Sequence, residues 1–237
     1  MKILKLPLLL FVMICYACGP TDEELMTQAR ELMVNGRIKE AQKILDGVIE
    51  KTPDHQAAHN MRGIARLELD ETALAIEDFD TSIRLDSTDY RAFYNRGNAY
   101  YQVQEYSEAI LDYDRAMRLE PKSADIYINR ANALVQLENY VEAIQDYQFA
   151  IKLEETNYLT HFNLGRTYYI GQEQDKAKIC FEKCISIYET YAPAYYFLGM
   201  IALETDEPEA SCIYWKQAAD LGYQQADEVL ELYCTPN

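Results

Sequence analysis

Apolar and polar positions along this chain follow the period of an α-helix, and they do so inside a fixed long-range frame. Ala109, Tyr113 and Ala116 are four and three residues apart, which sets them on one face of a helix. Ala143, Tyr147 and Ala150 repeat the pattern 34 residues on, and Ala177, Phe181 and Cys184 repeat it again. The same interval carries Asn95-Arg96-Gly97-Asn98-Ala99 onto Asn129-Arg130-Ala131-Asn132-Ala133. Extended both ways, it divides the chain without insertion or deletion into six segments starting at Asp22, Gln56, Tyr90, Ala124, Tyr158 and Ala192.

Within each segment, position 8 is small (Ala29, Gly63, Gly97, Ala131, Gly165, Gly199), and so is position 20, from Ala41 to Ser211. Position 24 is large: Leu45, Phe79, Tyr113, Tyr147, Phe181 and Trp215. Two helices that approach closely at the small positions would leave a gap for the large one. Pro53 and Pro121 stand at position 32, where a helix must stop. Over residues 22–225 this pattern resembles the tetratricopeptide repeat family. The resemblance implies an all-α fold, a right-handed α-solenoid of six 34-residue helix-turn-helix repeats. First helices would line a concave groove and second helices the outer face. Such repeats bury their faces only on their neighbours, so the six would form one body. The last repeat is looser. Pro208 is expected to interrupt the start of its second helix and Tyr223 replaces the turn proline. Residues 226–237 are expected to form a capping helix, Ala226 to Cys234, and a tail.

The first residues stand outside this frame. Lys2 and Lys5 precede an unbroken apolar run over residues 6–17, too short for the ~20 residues of a membrane span. The run fits a signal peptide over residues 1–17. Ala17 precedes Cys18, and Gly19-Pro20 follow. This resembles the lipobox of bacterial lipoproteins, although Cys15 and Tyr16 depart from its usual residues. The resemblance implies that Cys18 carries palmitate-type acyl chains, with residues 18–21 as a short linker. The chain would then be a membrane-anchored lipoprotein of the cell envelope, facing the periplasm or the cell surface, most naturally on the outer membrane. Ordinary signal cleavage at the same bond is the alternative.

Composition narrows the function. A net charge of −17 disfavours nucleic acid, whose phosphates it would repel. With 9 glycines and 7 prolines, no stretch reads as a flexible linker. His161 occupies a core position, while His55 and His59 straddle a turn with no Asp or Cys to complete a metal set. No phosphate loop or nucleophile arrangement is suggested, so neither a cofactor nor catalysis is expected. Cys180, Cys184, Cys212 and Cys234 allow three pairings, among which spacing does not choose. A buried free thiol at Cys184 is one expectation; a Cys212–Cys234 bridge that staples the cap is another.

Two sets of polar residues follow the frame. Repeats two to four carry Arg at position 7 (Arg62, Arg96, Arg130) and Asp at position 23 (Asp78, Asp112, Asp146), and the other repeats carry neither. Each pair is expected to form a structural salt bridge between the two helices of its repeat. Groove-lining positions of the family hold Asn95, Asn129 and Asn163 at position 6, and Asn98, Asn132 and Arg166 at position 9. Tyr94, Tyr101, Phe162 and Tyr169 stand beside them. An amide both donates and accepts, so such a ladder would suit the backbone of an extended peptide. Alternatively, the position-6 amides only bond neighbouring helices. Replacing Asn98, Asn132 and Tyr101 by alanine is expected to spare the fold, because these residues should face solvent. The family's carboxylate clamp is not matched, since Tyr94, Leu159 and Asn163 occupy the places of its cations. The resulting expectation is a non-enzymatic scaffold that binds a protein or peptide segment in its groove. A structural subunit that uses its outer face is the alternative.

Overall fold

The computed structural model describes residues 19–234, so the proposed signal segment and Cys18 lie outside the described residues. The described chain is a run of thirteen α-helices. The first helices of the repeats are α1 (Asp22–Val34), α3 (Gln56–Glu68), α5 (Tyr90–Gln102), α7 (Ala124–Gln136), α9 (Tyr158–Ile170) and α11 (Ala192–Glu204). The second helices are α2 (Ile38–Lys51), α4 (Thr72–Leu85), α6 (Tyr106–Leu119), α8 (Tyr140–Leu153), α10 (Gln174–Ile187) and α12 (Pro208–Asp220). The last helix is α13 (Gln224–Tyr233).

Each first helix packs on its own second helix, and each second helix packs on the first helix of the next repeat. The firm second-neighbour contacts join α3 to α5, α5 to α7 and α7 to α9, all of them first helices. First helices therefore sit on the inside of the curve, and the solenoid has a concave face made by them. The position-24 rings hold each hairpin closed. Phe79, Tyr113, Tyr147, Phe181 and Trp215 are all fully buried, each contributing about 1.5–3 kcal/mol by leaving water. A methyl group on Gly199 would come within 2.4 Å of the Trp215 indole, and one on Gly63 within 2.5 Å of Phe79. That is the reason position 8 is small.

The turns are as regular as the helices. The hinge of every hairpin takes a left-handed residue: Gly36, Asp70, Gln104, Glu138, Gln172 and Asp206. There the next N–H reaches back over the helix end, as in Glu71 to the Arg66 carbonyl at 2.8 Å, a C-cap that satisfies a terminal carbonyl. The turns between repeats are tied by position 4. His59 Nε2 lies 2.9 Å from the Pro53 carbonyl, the Tyr127 hydroxyl donates to Pro121 at 3.2 Å, and His161 Nε2 lies 2.9 Å from the Glu155 carbonyl. The histidines are thus structural tips on buried rings. Among the described residues no group of His, Cys, Asp and Glu could hold a metal ion. No helix there is long and apolar enough to cross a membrane.

Two expectations for the last repeat need correction. Pro208 does not interrupt α12. It opens the helix at its first turn, where a missing N–H costs nothing. The last helix starts at Gln224, not Ala226, because Gly222 takes a left-handed conformation and sharpens the turn. Cys212 and Cys234 are joined with their Cα atoms 5.7 Å apart, which ties the end of α13 to the start of α12. Cys180 and Cys184 are free and buried.

The first helix of the stack carries charge where interior helices do not. Interior first helices are apolar or small at positions 3 and 10, as at Ala92 and Ala99, and both of those are fully buried. In α1 the same positions are the exposed Glu24 and Glu31. In α13, Glu231 is exposed as well, beside the exposed Leu232 and Tyr233. Among the described residues, the outward face of α1 is thus the one least suited to stacking another repeat.

Candidate functional site

Each of the three Arg–Asp pairs joins the helices of its repeat by a two-pronged bond. Arg62 reaches Asp78 at 2.9 and 2.6 Å, Arg96 reaches Asp112 at 2.7 and 2.6 Å, and Arg130 reaches Asp146 at 2.7 and 2.6 Å. The third nitrogen of each guanidinium crosses to the preceding repeat: Asp46 at 2.8 Å, Asp80 at 2.5 Å and Asp114 at 2.5 Å. These three carboxylates were missed from sequence. Their signal was present, because Asp at position 25 occurs in repeats one to three, one repeat behind the arginines. Where the series stops, Gln148 replaces the aspartate and donates to the Tyr168 hydroxyl at 2.9 Å. Burial holds the carboxyls of Asp112 and Asp146 above the ordinary range, and the arginines pull them back only in part. In repeat two, Asp78 also takes Arg66 at 2.7 Å and lies 3.4 Å from His59 Nδ1. This network locks hairpins together and leaves the concave face to other residues.

On that face the amides pair with one another. Asn129 Nδ2 donates to Asn98 Oδ1 and to the Tyr94 hydroxyl, both at 3.0 Å. Asn98 Oδ1 also accepts from the Tyr113 hydroxyl at 2.8 Å. One repeat on, Asn132 Oδ1 accepts from the Tyr147 hydroxyl at 2.5 Å and from Asn163 Nδ2 at 3.4 Å. Asn95 Nδ2 donates to Asn60 Oδ1 at 3.0 Å. The position-6 amides therefore stitch first helices together, and the position-9 oxygens are each used twice. The ladder is thus divided in what it can offer an extended peptide: Asn98 and Asn132 retain N–H, while the position-6 amides spend N–H on their neighbours. Both are half-buried, not fully facing solvent as expected, so removing them would strand the Tyr113 and Tyr147 hydroxyls at about 1–3 kcal/mol each. Phe162 is buried too, packed among Phe181, Tyr191 and Phe197. It forms the floor under Arg166, whose guanidinium lies 6.0 Å from its ring. Tyr169 is half-buried at the edge, where its hydroxyl bonds Glu204.

What remains open is a double hollow over repeats three to five. One part, of about 190 Å³, is lined by Asn98, Tyr101, Tyr113, Asn129 and Asn132. The other, of about 230 Å³, is lined by Tyr101, Asn132, Val135, Gln136, Tyr147, Asn163, Arg166, Thr167 and Ile170. The two share Tyr101 and Asn132. Neither contains a carboxylate, in a chain with 39 acidic residues against 22 basic ones. Tyr94 and Asn95 belong to a separate hollow of about 380 Å³ over repeats one to four, where Arg30, Asp89, Arg91 and Asp125 mix both signs.

No curated protein sequence matches this chain closely enough to count as a relative. Solved structures do match it. PilF of Pseudomonas aeruginosa superposes with a TM-score of 0.77 at 17% identity, over 87% of this chain and 96% of its own. YrrB, reported as a TPR protein with an unusual peptide-binding site, gives 0.68 at 22% identity, over 79% and 97%. A tetratricopeptide repeat protein of Parabacteroides merdae gives 0.64 at 23% identity, over 92% and 86%. At these identities the likeness is one of fold. Family models for the tetratricopeptide repeat match residues 26–90, 124–157 and 159–191, and a TPR repeat model matches residues 97–138. With helix pairs in the same frame from Asp22 onward, this chain belongs to the tetratricopeptide repeat family, whose members serve generally as non-catalytic scaffolds for protein–protein interaction.

Proposed function

We propose that this scaffold is an adaptor of the bacterial cell envelope, held to a membrane through Cys18, and that it binds a segment of a partner protein in the concave face of repeats three to five. The observation that carries the groove reading is the double hollow between Asn98 and Ile170, which is free of acids although the chain is strongly acidic. Tyrosine there adds contact area at small entropic cost, a usual way to hold varied segments. A photo-crosslinking residue in place of Tyr101, in the protein expressed in its own cells, should capture a partner, whereas one in place of Glu50 should not. Equal capture at both sites would remove the groove reading.

A second reading has its own support. Leu111, Val141, Ile179 and Ile213 are each more than 60% exposed, on the second helices of repeats three to six. An outer face that packs into a larger assembly would use them. Charged neighbours such as Arg115, Glu182 and Lys216 separate them, and single exposed aliphatics are common on soluble proteins. Crosslinkers at Leu111 and Ile179 that outperform Tyr101 would favour this reading. For the anchor, wild type should enter the detergent phase on Triton X-114 partitioning and Cys18→Ala should stay aqueous, because two or more acyl chains make binding stable.

A further inference from the structure

The central hollow contains a cation with no counter-ion. Arg166 is exposed, and no carboxylate lies within 4.0 Å of it among the described residues. The arginines of the inter-helix network are paired: Arg62, Arg96 and Arg130 each take two carboxylates, and Arg91 takes Asp89; Arg30, at position 9 of repeat one, is exposed like Arg166, but its hollow also contains Asp89 and Asp125. The neighbouring acid on the concave side, Glu204, accepts the Tyr169 hydroxyl. The Phe162 ring lies 6.0 Å beneath the guanidinium, a contact that favours this placement without neutralising the charge.

The amides of the double hollow point the same way. Both position-9 asparagines have their oxygens filled from inside the protein, Asn98 by Tyr113 and Asn129, and Asn132 by Tyr147 and Asn163. Each then has only N–H to offer a ligand. A fixed cation next to amide donors, in a hollow without a carboxylate, is matched by an acceptor that carries negative charge. A basic side chain placed there would meet Arg166 and find no carboxylate. The overall charge of −17 would repel an acidic protein at long range, so an acidic group can be welcome only at this spot, inside a segment that is otherwise not strongly acidic.

We infer that the groove selects a partner segment carrying an Asp or Glu side chain, whose carboxylate docks on Arg166 between Asn132 and Tyr101. This rests on the groove reading above and adds the ligand's chemistry to it. Arginine suits the role because its planar fork meets a carboxylate in two parallel bonds. Its absence from the Asp–Arg network means that it can be changed without disturbing the links between repeats.

The test uses a phage-displayed library of random twelve-residue peptides, selected against the chain from Cys18 to Asn237 and separately against Arg166→Glu. Peptides enriched on the wild type should share one Asp or Glu at a fixed position. A synthetic peptide of that sequence should bind at least about tenfold more weakly to Arg166→Gln, and its affinity should fall as salt is raised. Selection on Arg166→Glu should instead enrich Lys or Arg at the same position. Circular dichroism melts of both variants matching wild type would place the loss in binding rather than folding. Enriched peptides that are lost on Tyr101→Ala but carry no fixed acid, or that bind Arg166→Gln as well as wild type, would overturn this inference and leave the groove reading standing. Peptides insensitive to both substitutions, or no enrichment at all, would overturn both.

Discussion

The two halves of the solenoid keep the same frame with different chemistry. Through repeats two to four, positions 7 and 23 are an arginine and an aspartate, and each arginine extends to an aspartate of the preceding repeat. In repeat five the same positions are Leu164 and Cys180, both buried, and in repeat six they are the buried Leu198 and the half-buried Tyr214. Around them Phe162, Phe181, Tyr191 and Phe197 form a connected set of ring contacts. Hairpins of almost identical geometry thus close by ion pairs on one side and by apolar packing on the other. The lesson is that the frame demands a filled space, not a particular interaction. Burying charge is costly enough that the ionic version gains little over the apolar one. That fits the direction in which burial pushes Asp112 and Asp146.

The comparison breaks most visibly where the aromatic half has no alternative. Trp215 is fully buried, its indole donates to the Tyr196 carbonyl at 3.1 Å, and its ring meets Tyr233 of the last helix. Trp215→Ala should cost about 3–5 kcal/mol, and should release α13 more than any other helix. Hydrogen exchange with mass readout, with the disulfide intact, checks both the size and the place. Uniform loss of protection along the chain would contradict a local effect.

A smaller change separates the two chemistries. Asp112→Ala leaves Arg96 half-buried with Asp80 alone and should cost about 2–3 kcal/mol, toward the lower end for a broken buried pair. Arg96→Leu combined with Asp112→Cys imports the residues of repeat five and should return stability to within about 1 kcal/mol of wild type. Urea unfolding of wild type, single and double variants measures this. A double variant as unstable as the single one would mean that the ion pairs contribute something packing cannot replace.

The smallest effect is a silence. Burial alone pushes the Cys180 thiol up to about 11 and the Cys184 thiol up to about 12. The thiolate is the reactive form, so raising pH through the ordinary thiol range should leave both unmodified by iodoacetamide in the folded chain. Alkylation of Cys180 and Cys184 should appear only with denaturant, with Cys212 and Cys234 protected as a disulfide. Rapid native labelling at pH 8 would show that the aromatic half opens far more readily than its packing implies.

Much of this was legible in the sequence because repetition multiplies weak signals. One Ala at position 20 says little, but a small residue there in all six repeats, opposite a large one at position 24, fixes a helix pair. The Arg–Asp coupling was visible as co-occurrence. The third partner, at position 25 of the preceding repeat, needed the stacking geometry to show that a one-repeat offset brings residues together. The amides were harder. Sequence placed Asn98 and Asn132 on the concave side, but which atom of an amide is free depends on what the tyrosines behind it do. The hydroxyls of Tyr113 and Tyr147 come from another helix. Phe162 was misjudged for a related reason, since its neighbours Tyr191 and Phe197 come from the following repeat. The early start of α13 turned on the single left-handed Gly222.

The glutamates of the first helix have a consequence for how the stack can be extended. Interior first helices bury small or apolar residues at positions 3 and 10, and α1 offers the exposed Glu24 and Glu31 there instead. A second stack packed on that face would have to bury two carboxylates, a cost that apolar contact does not readily offset. Among the described residues, α1 is therefore a layer from which the register of the six hairpins can be counted.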